Sequence, residues 1–501
     1  MKAFFLTTLL FIAFTASSWA QSFAIYDLQV KGGVTSVMPA DLNGDQRVDL
    51  VVISKTGTFP NVVRWLSVFW QQEAGRFNQR PDLVWEMDPE ATVIDVGSLS
   101  SEAHHQAIVY LTSSEVRAYH IKAGARPTPT TLLKIPSVTA FPEPGELASW
   151  PLIHDWKGTG RAWLGVPQFG KLSLYSIGSD GALEAAESVQ IHQPTFIFGA
   201  ERDQRLLRDY SLQLVYRMPQ LFVQDFNGDG RADLIVAWQD HVAVYLQDAA
   251  GRFPAQASKS FHFDVRTEQE KSRRSIFVSP LIEDLNGDGR ADLVLTKMTG
   301  RVTDRHLVTL VYLNRDGTLS SRPDARLEHA GFGTTLLVKD LNGDGKQDLI
   351  FPLVKIGVTN IVRNLLSNRV EVSLSAHLYA NQGIYRASPD WMRSFSYQID
   401  MSDGVMLEGA WPNIEGDFDG DGKADLLVAR NDELAVYLAA PGMLFAREPA
   451  LRLSIKTSPH LLVRDLHHSS RADVVMWYEG QTDASSVVKV LMNTSQGWRQ
   501  R

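Results

Sequence analysis

Cysteine is absent from all 501 residues, which excludes a disulfide framework and lipid attachment to a cysteine at a processing site. No apolar run approaches the roughly 20 residues that a membrane-spanning helix needs. A basic excess is missing too: the formal net charge is −8, which argues against a nucleic-acid partner. The chain has neither a Gly-x-Ser-x-Gly elbow nor a His-Glu-x-x-His motif. Its 13 histidines are scattered, and none pairs with a base or nucleophile at a telling spacing. What remains is ordinary for a globular protein: 44% hydrophobic, 21% charged and 10% aromatic residues, enough for a large core and without a disordered tail.

The first 20 residues read as a signal peptide. Lys2 supplies a short positive region, Phe4 to Phe14 is an apolar run interrupted only by Thr7 and Thr8, and Ser18-Trp19-Ala20 places small residues where a signal peptidase reads them. Cleavage before Gln21 is expected, leaving residues 21–501 as the folded unit with a net charge of −9 once Lys2 is gone. The apolar run is too short for an anchor. The expected location is therefore secreted, periplasmic or at the cell surface.

Five segments are nearly superimposable: ADLNGDQRVDLVV from Ala40, QDFNGDGRADLIV from Gln224, EDLNGDGRADLVL from Glu283, KDLNGDGKQDLIF from Lys339 and GDFDGDGKADLLV from Gly416. Weaker copies start at His154 and Arg464, and a third keeps only its ends, Asp95-Val96 and Gln106 to Val109. The first Asp of each copy falls at 41, 95, 155, 225, 284, 340, 417 and 465, giving intervals of 54, 60, 70, 59, 56, 77 and 48 residues. A period near 60 is longer than typical solenoid repeats and suits a four-stranded propeller blade with generous loops.

Strands can be placed on this frame. A short apolar stretch precedes each acidic loop, as at Leu336-Leu337-Val338, and another follows it, as at Leu349-Ile350-Phe351. Such runs suit strands buried on both faces. A third stretch ends near an aromatic, as in Val242 to Tyr245, Leu172 to Tyr175, Leu434 to Tyr437 and Val308 to Tyr312. It leads into a Gly-containing turn, as at Gly75-Arg76-Phe77, Gly251-Arg252-Phe253 or Gly383-Ile384-Tyr385, and so into a fourth, outer strand. The last copy has three strands, ending Val487 to Val490, while Phe23 to Tyr26 is an outer strand with no blade of its own. The expected fold is thus an all-β propeller of about eight four-stranded blades, closed by the N-terminal strand, with seven blades if the copy at Asp95 forms none. An open array is the alternative to closure.

The loop carries Asp at position 1, Asn or Asp at 3, Asp at 5, any residue at 7 and Asp at 9. Oxygen donors at alternate positions, with the position-7 carbonyl between them, are what a hard cation such as calcium requires. The candidate ligands are Asp41, Asn43, Asp45, the carbonyl of Arg47, and Asp49; then Asp225, Asn227, Asp229, Arg231 and Asp233. Next come Asp284, Asn286, Asp288, Arg290 and Asp292; Asp340, Asn342, Asp344, Lys346 and Asp348; and Asp417, Asp419, Asp421, Lys423 and Asp425. Magnesium fits less well, because it resists full dehydration in an all-protein cage.

Glycine at position 6 lets the chain bend sharply around an ion; Gln46 takes that position in the first copy, so that site is expected to be strained and weaker. A single such loop is also compatible with an Asx-type turn that binds nothing. Five with one spacing concentrate 16 aspartates, which repel one another unless a cation sits among them. About five calcium ions are expected. Ligands fail in the third copy, where Lys157, Thr159 and Trp163 intervene and the lysine ammonium is a candidate to sit where the ion would. They fail also in the eighth, where His467 and Ser469 lie between Asp465 and Asp473.

Asp-x-Asn-Gly-Asp-Gly-x-x-Asp-Leu followed by a strand resembles the FG-GAP, or VCBS-type, repeat of integrin α-subunit propellers and of many bacterial exported proteins. Helix-loop-helix calcium modules share the start of the loop but need a Glu at position 12 and flanking helices. The resemblance implies ions in rim loops that stabilise the blades. Integrin propellers have seven blades, so an eighth repeat departs from that pattern.

The function expected on this basis is a binding or scaffolding module with structural calcium and an extracellular or periplasmic protein or polysaccharide ligand. The alternative is a lyase-like, polysaccharide-active enzyme, because some polysaccharide lyases resemble this architecture. Specificity is expected in two insertions: Arg202 to Arg217, with four arginines, and the long interval holding Ile361 to Ser367 and Trp391 to Tyr397. For Trp391 and Trp411, sugar stacking competes with blade packing as a role.

Overall fold

Each acidic loop joins the first strand of a four-stranded antiparallel sheet to the second. The computed structural model describes residues 23–495 except 101–105, 123, 140–144, 193–194, 200–211, 272–277, 301–304, 334–335, 355–366, 381–384, 401–405 and 482–483. The signal peptide expected at 1–20 lies outside the described residues. Blade 1 runs Gly33–Ala40, Asp49–Thr56, Val63–Phe69 and Leu83–Glu86, each strand hydrogen-bonded to the next. Blade 5 repeats the order with Val278–Glu283, Asp292–Thr299, His306–Tyr312 and Ala325–Ala330.

Eight such sheets follow one another along the chain. The segment at Asp95 is a full blade, with Val93–Gly97, Ala107–Leu111, Glu115–Tyr119 and Pro129–Lys134 in order, and Ala148–Ser149 added parallel to its first strand. Blade 7 reduces its first strand to isolated bridges, Gly409 to Arg430 and Asn413 to Leu427. Glu268–Lys271 forms a single α-helical turn.

The ring closes as the sequence predicts. Phe23–Gln29 pairs antiparallel with Val487–Asn493, Phe23 opposite Asn493 and Gln29 opposite Val487, and so completes the sheet of His460–Arg464 and Asp473–Trp477. No end blade is left with an open inner face.

Burial follows from the layering. Second and third strands are packed by neighbours on both faces, so Asp49 to Ile53 are all buried, whereas the outer strand Ala325–Ala330 alternates buried and exposed. The core is divided into eight apolar clusters, each shared by two adjacent blades. One joins Leu50 and Phe69 of blade 1 to Val475 and Val488 of blade 8. Another joins Leu427 and Val436 of blade 7 to Val474 and Leu491 of blade 8. Eight sheets with eight shared interfaces make a ring; an open array would have seven. Tyr245, Tyr312 and Tyr437 are buried in these clusters.

Antiparallel order also fixes two faces. The acidic loops (first strand to second) and the turns from third to fourth strand lie on one face. The turns from second to third strand and the linkers between blades lie on the other. The chain leaves blade 3 at Gln190 and enters blade 4 at Gln220 on that second face, with a hairpin of Thr195–Gly199 and Leu212–Tyr216 between.

The second insertion divides differently from expectation. Residues 361–366 lie outside the described residues, between the strands that end at Val354 and start at Arg369. Trp391 to Tyr397 belongs to no insertion: it is part of the fourth strand of blade 6, Trp391–Asp400, and Phe395 and Tyr397 are buried. Trp391 packs edge-on against Phe445, and both Trp391 and Trp411 lie against the cluster between blades 6 and 7. Blade packing accounts for both tryptophans.

Candidate calcium loops

The loop is shaped by its first aspartate. Asp41 accepts hydrogen bonds from the backbone N–H of Gly44 (2.7 Å) and of Gln46 (2.9 Å). Asp225, Asp284, Asp340 and Asp417 make the same pair of contacts to positions 4 and 6. Positions 4 and 6 must then adopt left-handed backbone, and Gly228 and Gly230 do so at φ of 78° and 81°. Gln46 is forced to φ 64° without that freedom, a conformation that costs a side-chain-bearing residue about 1–2 kcal/mol. The strain expected at the first loop is present.

Position 3 and position 5 are threaded the same way. Asn43 Oδ1 accepts from Asp45 N (2.9 Å) and Asp45 Oδ1 from Arg47 N (2.9 Å). The position-7 guanidinium bends back onto position 5 in three loops, Arg47 on Asp45 at 2.7 Å, Arg231 on Asp229, and more loosely Arg290 on Asp288 at 3.7 Å. In the seventh loop, oxygens of Asp417, Asp419 and Asp425 lie within 4.8 Å of one another. There burial, then the charges of Asp421 and Asp417, push the Asp419 carboxyl up.

Position 9 has a second task that the spacing did not reveal. Asp49, Asp233, Asp292, Asp348 and Asp425 are fully buried. One oxygen of each accepts the N–H of position 2 and the other the N–H just beyond the third strand. For Asp292 these donors are Leu285 (3.0 Å) and Asn314 (2.7 Å); for Asp49 they are Leu42 (3.1 Å) and Gln71 (2.9 Å). Burial pushes Asp49, Asp292 and Asp425 up to about 7 and Asp348 up to about 6, against the pull of those hydrogen bonds and with added repulsion from the loop's other aspartates.

Also missed was a set of rivets between blades. In blades 1, 4, 5 and 8 an amide residue at or just beyond the end of the third strand sends its side chain to the preceding blade's loop. Gln71 Nε2 reaches Leu466 O (2.9 Å), Gln247 Nε2 reaches Lys157 O (3.1 Å), Asn314 Nδ2 reaches Phe226 O (2.7 Å) and Asn493 Nδ2 reaches Phe418 O (2.9 Å). The signal was there: an amide residue one or two places beyond a buried aromatic or methionine, in phase with the repeat. Backbone bonds run alongside, from Ala291 N to Asp225 O (2.8 Å), Gln347 N to Leu285 O (3.0 Å) and Ala472 N to Asp417 O (2.7 Å). The acidic loops are therefore the places where neighbouring blades are tied together.

The two loops that lack ligands keep the left-handed backbone at positions 4 and 6, at Gly158, Gly160, His468 and Ser470, with the first aspartate accepting from positions 5 and 6. Asp155 accepts from Thr159 N and Gly160 N, and Asp465 from Ser469 N and Ser470 N. Loop shape alone therefore does not report an ion. Lys157 departs from the sequence expectation: its ammonium leaves the loop, is buried, and binds Glu187 Oε2 (2.5 Å) and the carbonyl of Gly251 (2.7 Å), linking blade 3 to blade 4. In the eighth loop the imidazole of His467 lies 2.9 Å from Asp473 Oδ2, and that carboxylate, together with Asp465, raises its pKa against the effect of burial.

The donor set fits a hard cation. All candidate donors are oxygens, and each carboxylate oxygen that accepts one N–H keeps a second lone pair. Residues 1, 3, 5, 7 and 9 of the five full loops are the ones that would hold calcium. Its charge would keep ionised the carboxylates that burial and mutual repulsion push towards the neutral form.

Comparison with known proteins agrees with the repeat. Residues 284–351 match the FG-GAP-like repeat family, a span running from the fifth acidic loop to the second strand of blade 6. No curated protein matches the sequence. Among solved structures, an Agrocybe aegerita lectin described as recognising non-reducing terminal N-acetylglucosamine is 16% identical, with 74% of this chain and 89% of that one covered and a TM-score of 0.40. Sqt1 from Chaetomium thermophilum is 11% identical, with 95% and 99% covered and a TM-score of 0.44.

Proposed function

We propose, from the premise that this chain is an eight-bladed β-propeller carrying an FG-GAP-like repeat, that it is an exported binding or scaffolding module stapled by calcium on one face. The observation that carries this reading is the division of labour between the two faces. The acidic loops sit at the inter-blade joints of one face, where a cation bound by Asp284, Asn286, Asp288, the carbonyl of Arg290 and Asp292 would rigidify a joint already made by Ala291 N and Asn314 Nδ2. The inserted hairpin between blades 3 and 4 leaves from and returns to the other face, at Gln190 and Gln220. Ligand-contacting segments carried by a rigid scaffold are a common arrangement for recognition.

Catalysis has less support. A cavity of about 690 Å³ on the insertion face brings together Lys55, Arg64, Glu146 and Glu479, a charged lining of the kind a polysaccharide-active enzyme uses. Arg64, however, is buried and spends its guanidinium on the carbonyls of Ala91, Glu146, Asp88 and Pro89. It braces the cavity wall and is not free for a substrate.

The test has two arms. Elemental analysis of the mature protein is expected to find about five calcium ions, with Asp229→Ala losing one and Asp155→Ala losing none; one ion or none in the parent protein refutes the staple. The second arm incubates the protein with acidic and neutral polysaccharides in millimolar calcium and follows unsaturated sugar ends beside direct binding. Binding without turnover is expected. Turnover abolished by mutating a His or Lys on the insertion face would replace this reading with the lyase.

A further inference from the structure

On the insertion face, at the turn between the second and third strands of blade 4, lies a group that the calcium loops do not use. His241 opens the third strand, His241–Tyr245, and His262 closes the fourth, Lys259–His262. The two are direct cross-strand partners, with ring centroids 4.3 Å apart. Both are exposed, and the His241 side chain keeps 57% of its accessible surface. Beneath them Asp240 is buried.

The polar geometry selects one arrangement of protons. Arg266 holds Asp240 Oδ2 through Nη2 (2.7 Å) and Nε (3.1 Å), a two-point ion pair that fixes the carboxylate in place. The other oxygen, Oδ1, lies 2.9 Å from His241 Nδ1. An ionised carboxylate only accepts, so Nδ1 carries the proton and the Nε2 lone pair of the neutral ring is left for another partner. A carboxylate that orients a histidine and raises its basicity is the usual support behind a metal-ligating imidazole. One nitrogen from each ring and one Asp240 oxygen lie within 4.8 Å of one another.

We propose that His241 and His262 bind a divalent transition metal ion of the zinc, nickel or copper class, with Asp240 as the positioning residue behind His241. Paired imidazoles select such ions over the hard calcium of the loops, and copper binds a given nitrogen site most tightly. Only two protein nitrogens ligate, so the remaining coordination positions stay open to water or to a donor atom of an external ligand. The site is independent of the calcium reading: it shares no residue with the loops and lies on the opposite face.

The test uses tag-free mature protein with its oxygen loops saturated in millimolar calcium. Zinc titration is expected to show one saturable site per chain, and copper at one equivalent is expected to give an electron paramagnetic resonance spectrum with two nitrogen ligands. His241→Ala and His262→Ala should each reduce the count to one nitrogen and weaken zinc binding by more than ~10-fold. Asp240→Asn should keep both nitrogens and weaken binding by about 10-fold, the lower end for loss of a supporting carboxylate. Both histidines are exposed at the edge of a sheet, and circular dichroism checks that the variants remain folded. Absence of saturable zinc binding overturns the proposal. So does a zinc isotherm and copper nitrogen count unchanged in the double variant His241→Ala/His262→Ala.

Discussion

Asp292 and Asp473 occupy the same place in two blades, and removing each separates the structural task of position 9 from the calcium ligation proposed for it. Both are fully buried, and both accept the position-2 N–H and the N–H beyond the third strand: Leu285 and Asn314 for Asp292, Leu466 (2.8 Å) and Asn493 (2.6 Å) for Asp473. Truncation to Ala strands two buried donors in either case. At about 1–3 kcal/mol for each unsatisfied group, the common loss is about 2–6 kcal/mol. For Asp292 in chelator at pH 7 the lower end is expected. Burial pushes its carboxyl up to about 7, so its ionised form already opposes folding there, and its stabilising effect is fully present only below the unfolded pKa.

Calcium distinguishes the two variants. Only the Asp292 loop has the oxygen set for an ion, and one site held at 100-fold over its dissociation constant adds about 2.7 kcal/mol. Denaturant unfolding in millimolar calcium and in excess chelator should therefore show Asp292→Ala losing about 3 kcal/mol more with calcium than without. Asp473→Ala should lose the same amount in both. Equal calcium responses in the two variants would refute the assignment of position 9 as a ligand, while leaving its structural role intact.

Three further outcomes are expected. Gln46→Gly removes the left-handed strain at φ 64° and should raise the calcium affinity of the first loop, by at most the roughly 5- to 30-fold that 1–2 kcal/mol allows; calorimetry showing weaker binding contradicts the strain argument. Deleting Ser22 to Val30 removes the strand paired with Val487–Asn493 and with it Leu28 from the cluster between blades 8 and 1, so the whole ring should melt earlier; unchanged thermal stability would contradict closure as a stabilising contact. His329 and His377 are buried, with Nε2 atoms 2.9 Å apart, and burial lowers both, His329 to about 4. The folded state refuses protons that the unfolded chain takes up, so stability should fall as pH drops from about 6.5 towards 4, and His329→Gln should flatten that slope in pH-dependent denaturation.

The repeat made most of the ring legible, because each acidic loop is a fixed mark between a first and a second strand. Even the degenerate copy at Asp95 had kept the part that builds a blade: Asp95 Oδ2 accepts the N–H of Ile153, 58 residues on, at the start of blade 3. Lys157 misled because its position in the loop says nothing of where a long side chain ends. Its four-carbon stem reaches a carboxylate on the outer strand and a carbonyl of the next blade, partners set by tertiary packing. Trp391 to Tyr397 misled for a different reason. A 77-residue interval reads as insertion, yet the ten-residue strand Trp391–Asp400 is the longest in the chain among the described residues and consumes part of it. The pairing of His241 with His262 was beyond sequence reading, since it depends on hairpin register across 21 residues.

The eighth loop shows why the closing joint need not depend on calcium. Blade 8 is completed by Phe23–Gln29, and its own loop is tied to blade 1 by Gln71 Nε2 to Leu466 O (2.9 Å). Its loop retains the two aspartates that shape the backbone and accept the buried N–H groups, Asp465 and Asp473, and gives up the intermediate ligands to His467 and Ser469. His468 and Ser470 adopt the left-handed backbone that glycine supplies elsewhere, at φ 55° and 61°, so shape is kept at a local energetic penalty. The His467 imidazole lies against Asp473 at 2.9 Å, and protonation there offers a positive charge to a carboxylate that in five other blades would share a cation. A joint built this way persists in chelator, and on this argument calcium removal loosens the joints of blades 1, 4, 5, 6 and 7 first while the closure between the two ends of the chain holds.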